Sequence, residues 1–288
     1  MIRRRGTQLA LNATGIALTL LVAFPVFWMV STAFKPTGDI LSYVPRVVPW
    51  PPTFEHFQTA VTRPFFGSYL RNSLIVVSAA VVLSIVVAAL AALAVARLRW
   101  RGRRGFVVLI LLAQTAPLEA LLIPAFLILR DAGLLNRLPA LVATYFIITL
   151  PFTIWTLRGF VAAIAVELEE AAMTDGCTRF GAYRRVVFPL LAPGLVATSI
   201  FAFITAWNEF VFALVLMQEQ TKFTLPVWLS TFRTAFGTDW GGTMAASTLF
   251  TLPVLVFFLL VQHRLVSGLS AGAVKGGPPR VTAVGRTT

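Results

Sequence analysis

Residues 72–96 read NSLIVVSAAVVLSIVVAALAALAVA, 25 residues without one charged side chain. A run of this length is what a helix needs to cross a hydrocarbon core of about 30 Å. Lipid offers the backbone no water to bond, so the run is predicted to be a helix that satisfies its own N–H and C=O groups. Its alanines (Ala88, Ala89, Ala91, Ala92, Ala94 and Ala96) permit close helix–helix approach. Working outward, five more apolar runs follow the same pattern, at about residues 9–34, 106–129, 138–157, 195–217 and 244–263. The expected fold is an all-α membrane protein with six transmembrane helices. Pro25, Pro117, Pro124 and Pro253 lie inside runs and predict local kinks.

Composition agrees. The chain is 58% hydrophobic and only 12% charged, with a mean hydropathy of +0.83. A soluble domain carries about twice that charged fraction. The net charge of +13 would suggest nucleic acid in a soluble protein. Here the basic residues stand between apolar runs, where they orient helices, and no aromatic-rich basic segment supports nucleic-acid binding. One cysteine, Cys177, and two histidines, His56 and His263, build neither a disulfide framework nor a zinc site. No metal site is expected.

Arg3, Arg4 and Arg5 precede the first run as in a signal peptide, but the run is too long for one, so an uncleaved helix is expected. With residues 1–8 in the cytoplasm, 16 of the 24 Lys and Arg fall inside and 8 outside. The strongest part of this bias is Arg97, Arg99, Arg101, Arg103 and Arg104. Both termini are then cytoplasmic. A membrane domain is expected over 9–263, with the loop 35–71 outside, and a tail over 264–288 is expected to be loosely ordered beyond about Gly272. The outer loop cannot be helical around Pro45, Pro49, Pro51 and Pro52. Phe54, Phe57, Phe65 and Phe66 could pack it onto the membrane domain, as a partner's receiving surface or as a plain connector.

One stretch is too polar to span and too long for a minimal connection: residues 167–194, ELEEAAMTDGCTRFGAYRRVVFPLLAPG. Glu167–Met173 favours helix, Gly176 supplies a left-handed break, and a second short helix is expected over 179–187, ended by Pro189. From spacing alone, a helix-turn-helix at the cytoplasmic surface and an amphipathic helix resting on headgroups are equally good readings.

This stretch resembles the EAA loop of permeases of ATP-binding-cassette importers. That loop has Glu-Ala-Ala, three residues, Gly, nine residues, then Ile-x-Leu-Pro. Glu170, Ala171 and Ala172 match its start, Asp175 closes the gap, and Gly176 is in register. Val186 stands for Ile, Phe188 for Leu, and Pro189 completes the match. The carbohydrate-uptake branch, similar to the maltose-type second permease, is suggested by Phe34-Lys35-Pro36, Asn72-Ser73, Leu150-Pro151-Phe152 with Trp155, Trp207-Asn208-Glu209-Phe210, and the stretch from Gly268 to Gly276. The resemblance runs from about residue 20 to residue 277.

The resemblance implies that residues 166–193 couple the membrane helices to a separate ATPase dimer. Glu170 would pair with a basic residue there, Gly176 would allow close approach, and Phe180 and Tyr183 would be apolar anchors. It also implies a second permease subunit, a paralogue rather than a second copy, and an extracytoplasmic substrate-binding protein. The chain has no G-x-x-x-x-G-K-[ST] loop, so ATP and Mg would sit on the ATPase and no cofactor on this chain. The cargo would be a sugar or polyol, with polyamine, phosphate and oxyanions as alternatives within the family.

Four polar residues fall inside apolar runs: Gln114 and Glu119 in the third, Asn208 and Glu209 in the fifth. A charge at mid-bilayer costs at least about 2.5–3.5 kcal/mol and faces the protein interior. Two readings remain equal: a translocation path, or hydrogen bonding to the partner subunit. Trp207 has two roles open, a stacking surface for a sugar ring or packing. No serine–histidine dyad or His-Glu-x-x-His motif supports an intramembrane enzyme. A channel or secondary transporter would not need the loop from Glu170 to Pro189.

Overall fold

The computed structural model describes residues 5–235 and 237–273, with side chains for 6–235 and 237–262. Arg3, Arg4, the tail beyond Ala273 and the side chains of His263, Arg264 and the Gly268–Gly276 motif lie outside the described residues. In chain order the helices are α1 (Arg5–Ala33), α2 (Thr37–Ile40), α3 (Glu55–Thr62), α4 (Phe66–Arg97), α5 (Arg103–Thr115), α6 (Leu122–Asp131) and α7 (Leu138–Ala163). They continue with α8 (Val166–Thr174), α9 (Arg179–Ala182), α10 (Phe188–Trp207), α11 (Val211–Leu216), α12 (Leu225–Ser230) and α13 (Trp240–Ala273). A two-residue antiparallel pair, β1 (Arg233–Thr234) and β2 (Gly237–Thr238), pairs Arg233 with Thr238 before α13.

Among the described residues, five helices are long and apolar enough to cross a membrane: Gly6–Ala33, Phe66–Arg97, Leu138–Ala163, Arg179–Trp207 and Trp240–Gln262. The third apolar run is the sixth span only if its two halves, α5 and α6, count as one broken helix. The expected kink there is a full break. Ala116 precedes Pro117 and takes an extended ψ of 131°, because the proline ring clashes with a helical predecessor. Pro124, in the first turn of α6, breaks nothing, since N–H groups there have no helical partner to lose. Pro25 and Pro253 stay inside continuous helices.

Pro189 does not end a helix, contrary to the sequence reading. Helix continues from Arg179 to Trp207, and the chain accommodates the proline by widening. Tyr183–Val187 form a π turn in which the Phe188 N–H bonds back five residues to Tyr183 O. Proline lacks an N–H and crowds the carbonyl four residues before it, and the wider turn relieves both. The fifth span correspondingly starts earlier than expected and stops at Trp207 rather than 217.

The chain divides into two compact units. The first contains the described parts of Met1–Val76, Leu122–Leu141 and Trp207–Leu255. Its core includes Tyr69, Leu141, Trp207, Phe212, Leu216, Leu225, Trp228 and Phe232. The aromatics of residues 35–71 do pack here. Phe34 meets Phe54 and Phe57 at ring separations of 5.3 and 4.8 Å, and Phe66 meets Trp228 at 5.0 Å. Asn72 is buried and its Nδ2 donates to the carbonyls of Thr221 and Phe223, while Ser73 Oγ accepts from the Leu225 N–H that opens α12. Lys35 is buried with its Nζ 3.8 Å from the Trp28 ring, and burial lowers its pKa against an opposing pull from Asp39.

The second unit contains Val77–Leu121, Val142–Ala206 and the described residues from Val256. Its core joins Ala88, Ala89, Ala92 and Leu93 of α4 to Ile110, Ile154, Leu157, Val161, Val187 and Leu191. The alanine face thus does what small residues do in lipid, letting backbones approach. Ser84 and Thr149 share a hydrogen bond of 2.6 Å across α4 and α7. Gly194 faces Phe160 so closely that a Cβ would stand 2.5 Å from Phe160 Cγ. Gly194→Ala should therefore cost about 1–3 kcal/mol through overpacking. A lower thermal midpoint in detergent is the expected result, and an unchanged midpoint would mean that Phe160 yields freely.

Candidate functional site

The loop from α8 to α9 is built by local rules. Glu167 and Glu169 stand in the first turn of α8, where the helix dipole favours negative charge. The helix ends in a Schellman motif. The Gly176 N–H bonds to Met173 O, and the Cys177 N–H bonds to Ala172 O. Gly176 has φ +90°, a conformation that costs other residues strain, so the expected left-handed break is present at the expected residue. Thr178 then caps the next helix, its Oγ1 accepting from the Gly181 N–H at 3.1 Å.

The side chains sort by face. Glu170, Ala171, Asp175 and Phe180 are exposed, Phe180 with 72% of its surface open. Ala172 and Tyr183 are half-buried, and Tyr183 packs against the second unit's core. Pro189 is exposed on the continuous helix. Glu170, Asp175 and Phe180 therefore present two carboxylates and a ring outward from one short loop, with no ion pair to either carboxylate among the described residues.

The buried charge of this loop is a residue that sequence reasoning passed over. Glu169, one position before the motif, is 5% exposed. Arg97 Nε donates to Glu169 Oε1 at 2.6 Å, and Arg97 Nη2 donates to Ile164 O at 2.7 Å. One guanidinium thus ties the last turn of α4, the carbonyl that follows α7, and α8 into a single junction. The fork of an arginine suits two acceptors at once, and a lysine would serve them less well. Arg97 stood out in the sequence only as a member of a basic cluster. Nothing in that cluster distinguished the one arginine with a buried partner.

The candidate path residues lie in two places. Gln114 sits near the end of α5 and Glu119 in the single turn Leu118–Leu121, both exposed and both in the second unit. Trp207, Asn208 and Glu209 belong to the first unit. Asn208 and Glu209 are not inside a span, as expected from the apolar run, but at the break between α10 and α11. Glu209 caps α11, its carboxylate oxygens accepting from Phe212 N at 2.8 Å and Ala213 N at 3.2 Å. That capping gives the break its physical reason, because the carboxylate serves N–H groups that a fresh helix start leaves open. Trp207 is 1% exposed and donates through Nε1 to Phe250 O at 3.1 Å. No group of three or more His, Cys, Asp or Glu that could hold a metal occurs among the described residues.

The chain is 55% identical over 265 residues to the diacetylchitobiose uptake system permease protein DasC of Streptomyces coelicolor, covering 92% of this chain and 96% of that one. It is 37% identical to the trehalose transport system permease protein SugB of Mycobacterium tuberculosis, over 90% and 95% of the two chains. Its fold matches a chain in the crystal structure of a bacterial transporter involved in alginate import, with a TM-score of 0.75 at 22% identity, covering 91% of this chain and 99% of that one. Residues 80–271 match the model of the binding-protein-dependent transport system inner membrane component family. That match takes in the α8–α9 loop and the broken α5–α6 pair, and with it the chain belongs to this family of multi-pass inner-membrane transport permeases.

Proposed function

We propose that this chain is a permease subunit of an ATP-driven importer that takes up a short sugar delivered by an extracytoplasmic binding protein. The observation that carries the reading is the 55% identity, over nearly the full length of both chains, to a permease named for diacetylchitobiose uptake. The second relative is named for trehalose, so both names point to disaccharides. Other cargoes of the same family remain outcomes of the test below.

In this reading the α8–α9 loop is cytoplasmic, as are both termini, and docks in a cleft of a separate ATPase dimer that holds ATP and Mg. Glu170 supplies the anchoring charge, and Phe180, with most of its ring exposed, supplies the apolar contact. Ala171, Ala172, Asp175 and Gly176 set the shape of the loop, while Tyr183 and Pro189 join it to the span. Arg97 and Glu169 act as positioning residues that make the loop move with α4. A second permease, a paralogue, completes the pore, and Gln114, Glu119, Asn208 and Glu209 are assigned to its lining or gate. Trp207, buried and hydrogen-bonded to Phe250 O, supports the gate by packing.

Proteoliposomes holding this chain with its co-purifying partners provide the test. Diacetylchitobiose should accumulate only when both ATP and a binding protein are present. Accumulation without ATP would place the chain among secondary transporters. ATP-dependent uptake of a phosphate or polyamine instead would keep the importer and replace the cargo.

A further inference from the structure

Where α4 ends beside the α9–α10 helix, the second unit carries an apolar groove of about 310 Å³. Leu90, Leu93, Leu98, Phe180, Tyr183 and Phe188 line it, and its walls expose almost no polar surface. Its mouth is the opposite. Arg184 lines the groove itself, and an adjoining cleft that shares Ala94 and Leu98 brings Arg99, Arg179 and Trp100 to the rim. Arg99, Arg179 and Arg184 have no carboxylate partner among the described residues. Arg97, the remaining arginine at that rim, is already committed to Glu169.

From this pairing we infer that the groove holds one acyl chain of an anionic phospholipid, with its phosphate among Arg99, Arg179 and Arg184. Charge complementarity selects the occupant. An acyl chain matches a wall without polar groups, and three unpaired guanidiniums match an anionic headgroup rather than a zwitterionic one. The position matches too. The groove opens at the end of a span, where tryptophan and arginine mark the interface, and Leu90 on that span is 56% exposed. Tyr183 lines the groove, and its buried hydroxyl has no hydrogen-bond partner among the described residues. Phe180 and Arg184 also line the polar cleft formed by Gly176–Thr178 and Gly181 on the other side, so a lipid here would brace the ring that the loop presents. This inference does not depend on cargo or on ATP.

The test is lipid retention by the full chain with its co-purifying partners. The complex is exchanged in mild detergent against equal amounts of palmitoyl-oleoyl phosphatidylglycerol and phosphatidylcholine, then weighed by native mass spectrometry. The wild type should retain phosphatidylglycerol at least about fivefold over phosphatidylcholine, the ratio that one arginine near an anionic headgroup provides. Arg184→Gln should lower that retention about fivefold, and Ala94→Phe, which fills the groove, should lose retention of both lipids. Arg158→Gln, an arginine stacked on Trp155 at 5.0 Å, should leave retention unchanged. Equal retention of the two lipids would overturn the inference, as would an equal loss in Arg158→Gln, which would reduce the effect to general surface charge. Ala94→Cys carrying a maleimide-linked benzophenone that captures a partner protein in place of lipid on irradiation would overturn it as well. If Ala94→Phe fails to assemble, the double variant Arg99→Gln/Arg184→Gln decides in the same way.

Discussion

Glu170→Lys should reduce ATP-dependent uptake to background while the chain stays in the membrane at normal abundance. Glu170 is exposed on α8 and makes no ion pair among the described residues, so reversing its charge disturbs little within the chain. The cost falls on docking. Placing like charges together at an interface costs several kcal/mol, and about 3 kcal/mol is more than a hundredfold in affinity. Uptake and co-purification of the ATPase should therefore fall together, and the thermal midpoint of the chain should not move. Undiminished uptake in this variant would remove Glu170 from the coupling machinery.

Glu169→Ala, one residue earlier, should behave in the opposite way. It leaves the Arg97 guanidinium, 8% exposed at the side chain, without its carboxylate. An orphaned buried charge costs about 3–5 kcal/mol, enough to lower the midpoint and abundance of the protein. Arg97→Ala should cost as much, since it strands both Glu169 and the carbonyl of Ile164. The decisive variant is the double one. Arg97→Leu with Glu169→Leu removes both charges and should recover most of the stability, because apolar replacement of a buried pair is often neutral. Uptake should stay low in that double variant, for the junction of α4 with α8 is gone. Full recovery of uptake would show that the pair only stabilises the fold and does not position the loop.

These two neighbouring glutamates separate what a sequence shows from what a structure shows. The resemblance singled out Glu170 by its place in a motif, and Glu169 carries no such mark. On an α-helix adjacent residues point about 100° apart, so one of the two faces inward, but which one depends on what lies there. Arg97 lies there, 72 residues away in the chain. The same distinction holds at the prolines. That Pro117 and Pro189 perturb helices follows from a missing N–H. That one breaks its helix and the other is absorbed by a π turn depends on surroundings that the local sequence does not contain. That Glu209 is a carboxylate in an apolar run was legible, but not that it caps a helix whose start no periodicity signalled.

By itself the sequence determined the helical class, the approximate number and place of the spans, and the loop with its Gly176 break. Each of these follows from constraints acting within one segment: lipid forbids unpaired backbone groups, a span needs a fixed length, and a left-handed turn wants a glycine. Only the tertiary structure decided that Arg97 secures the loop, that Trp207 is buried against Phe250, and that an apolar groove with a cationic rim opens beside Tyr183. Those are meetings of residues far apart in the chain, and packing, not local pattern, selects them.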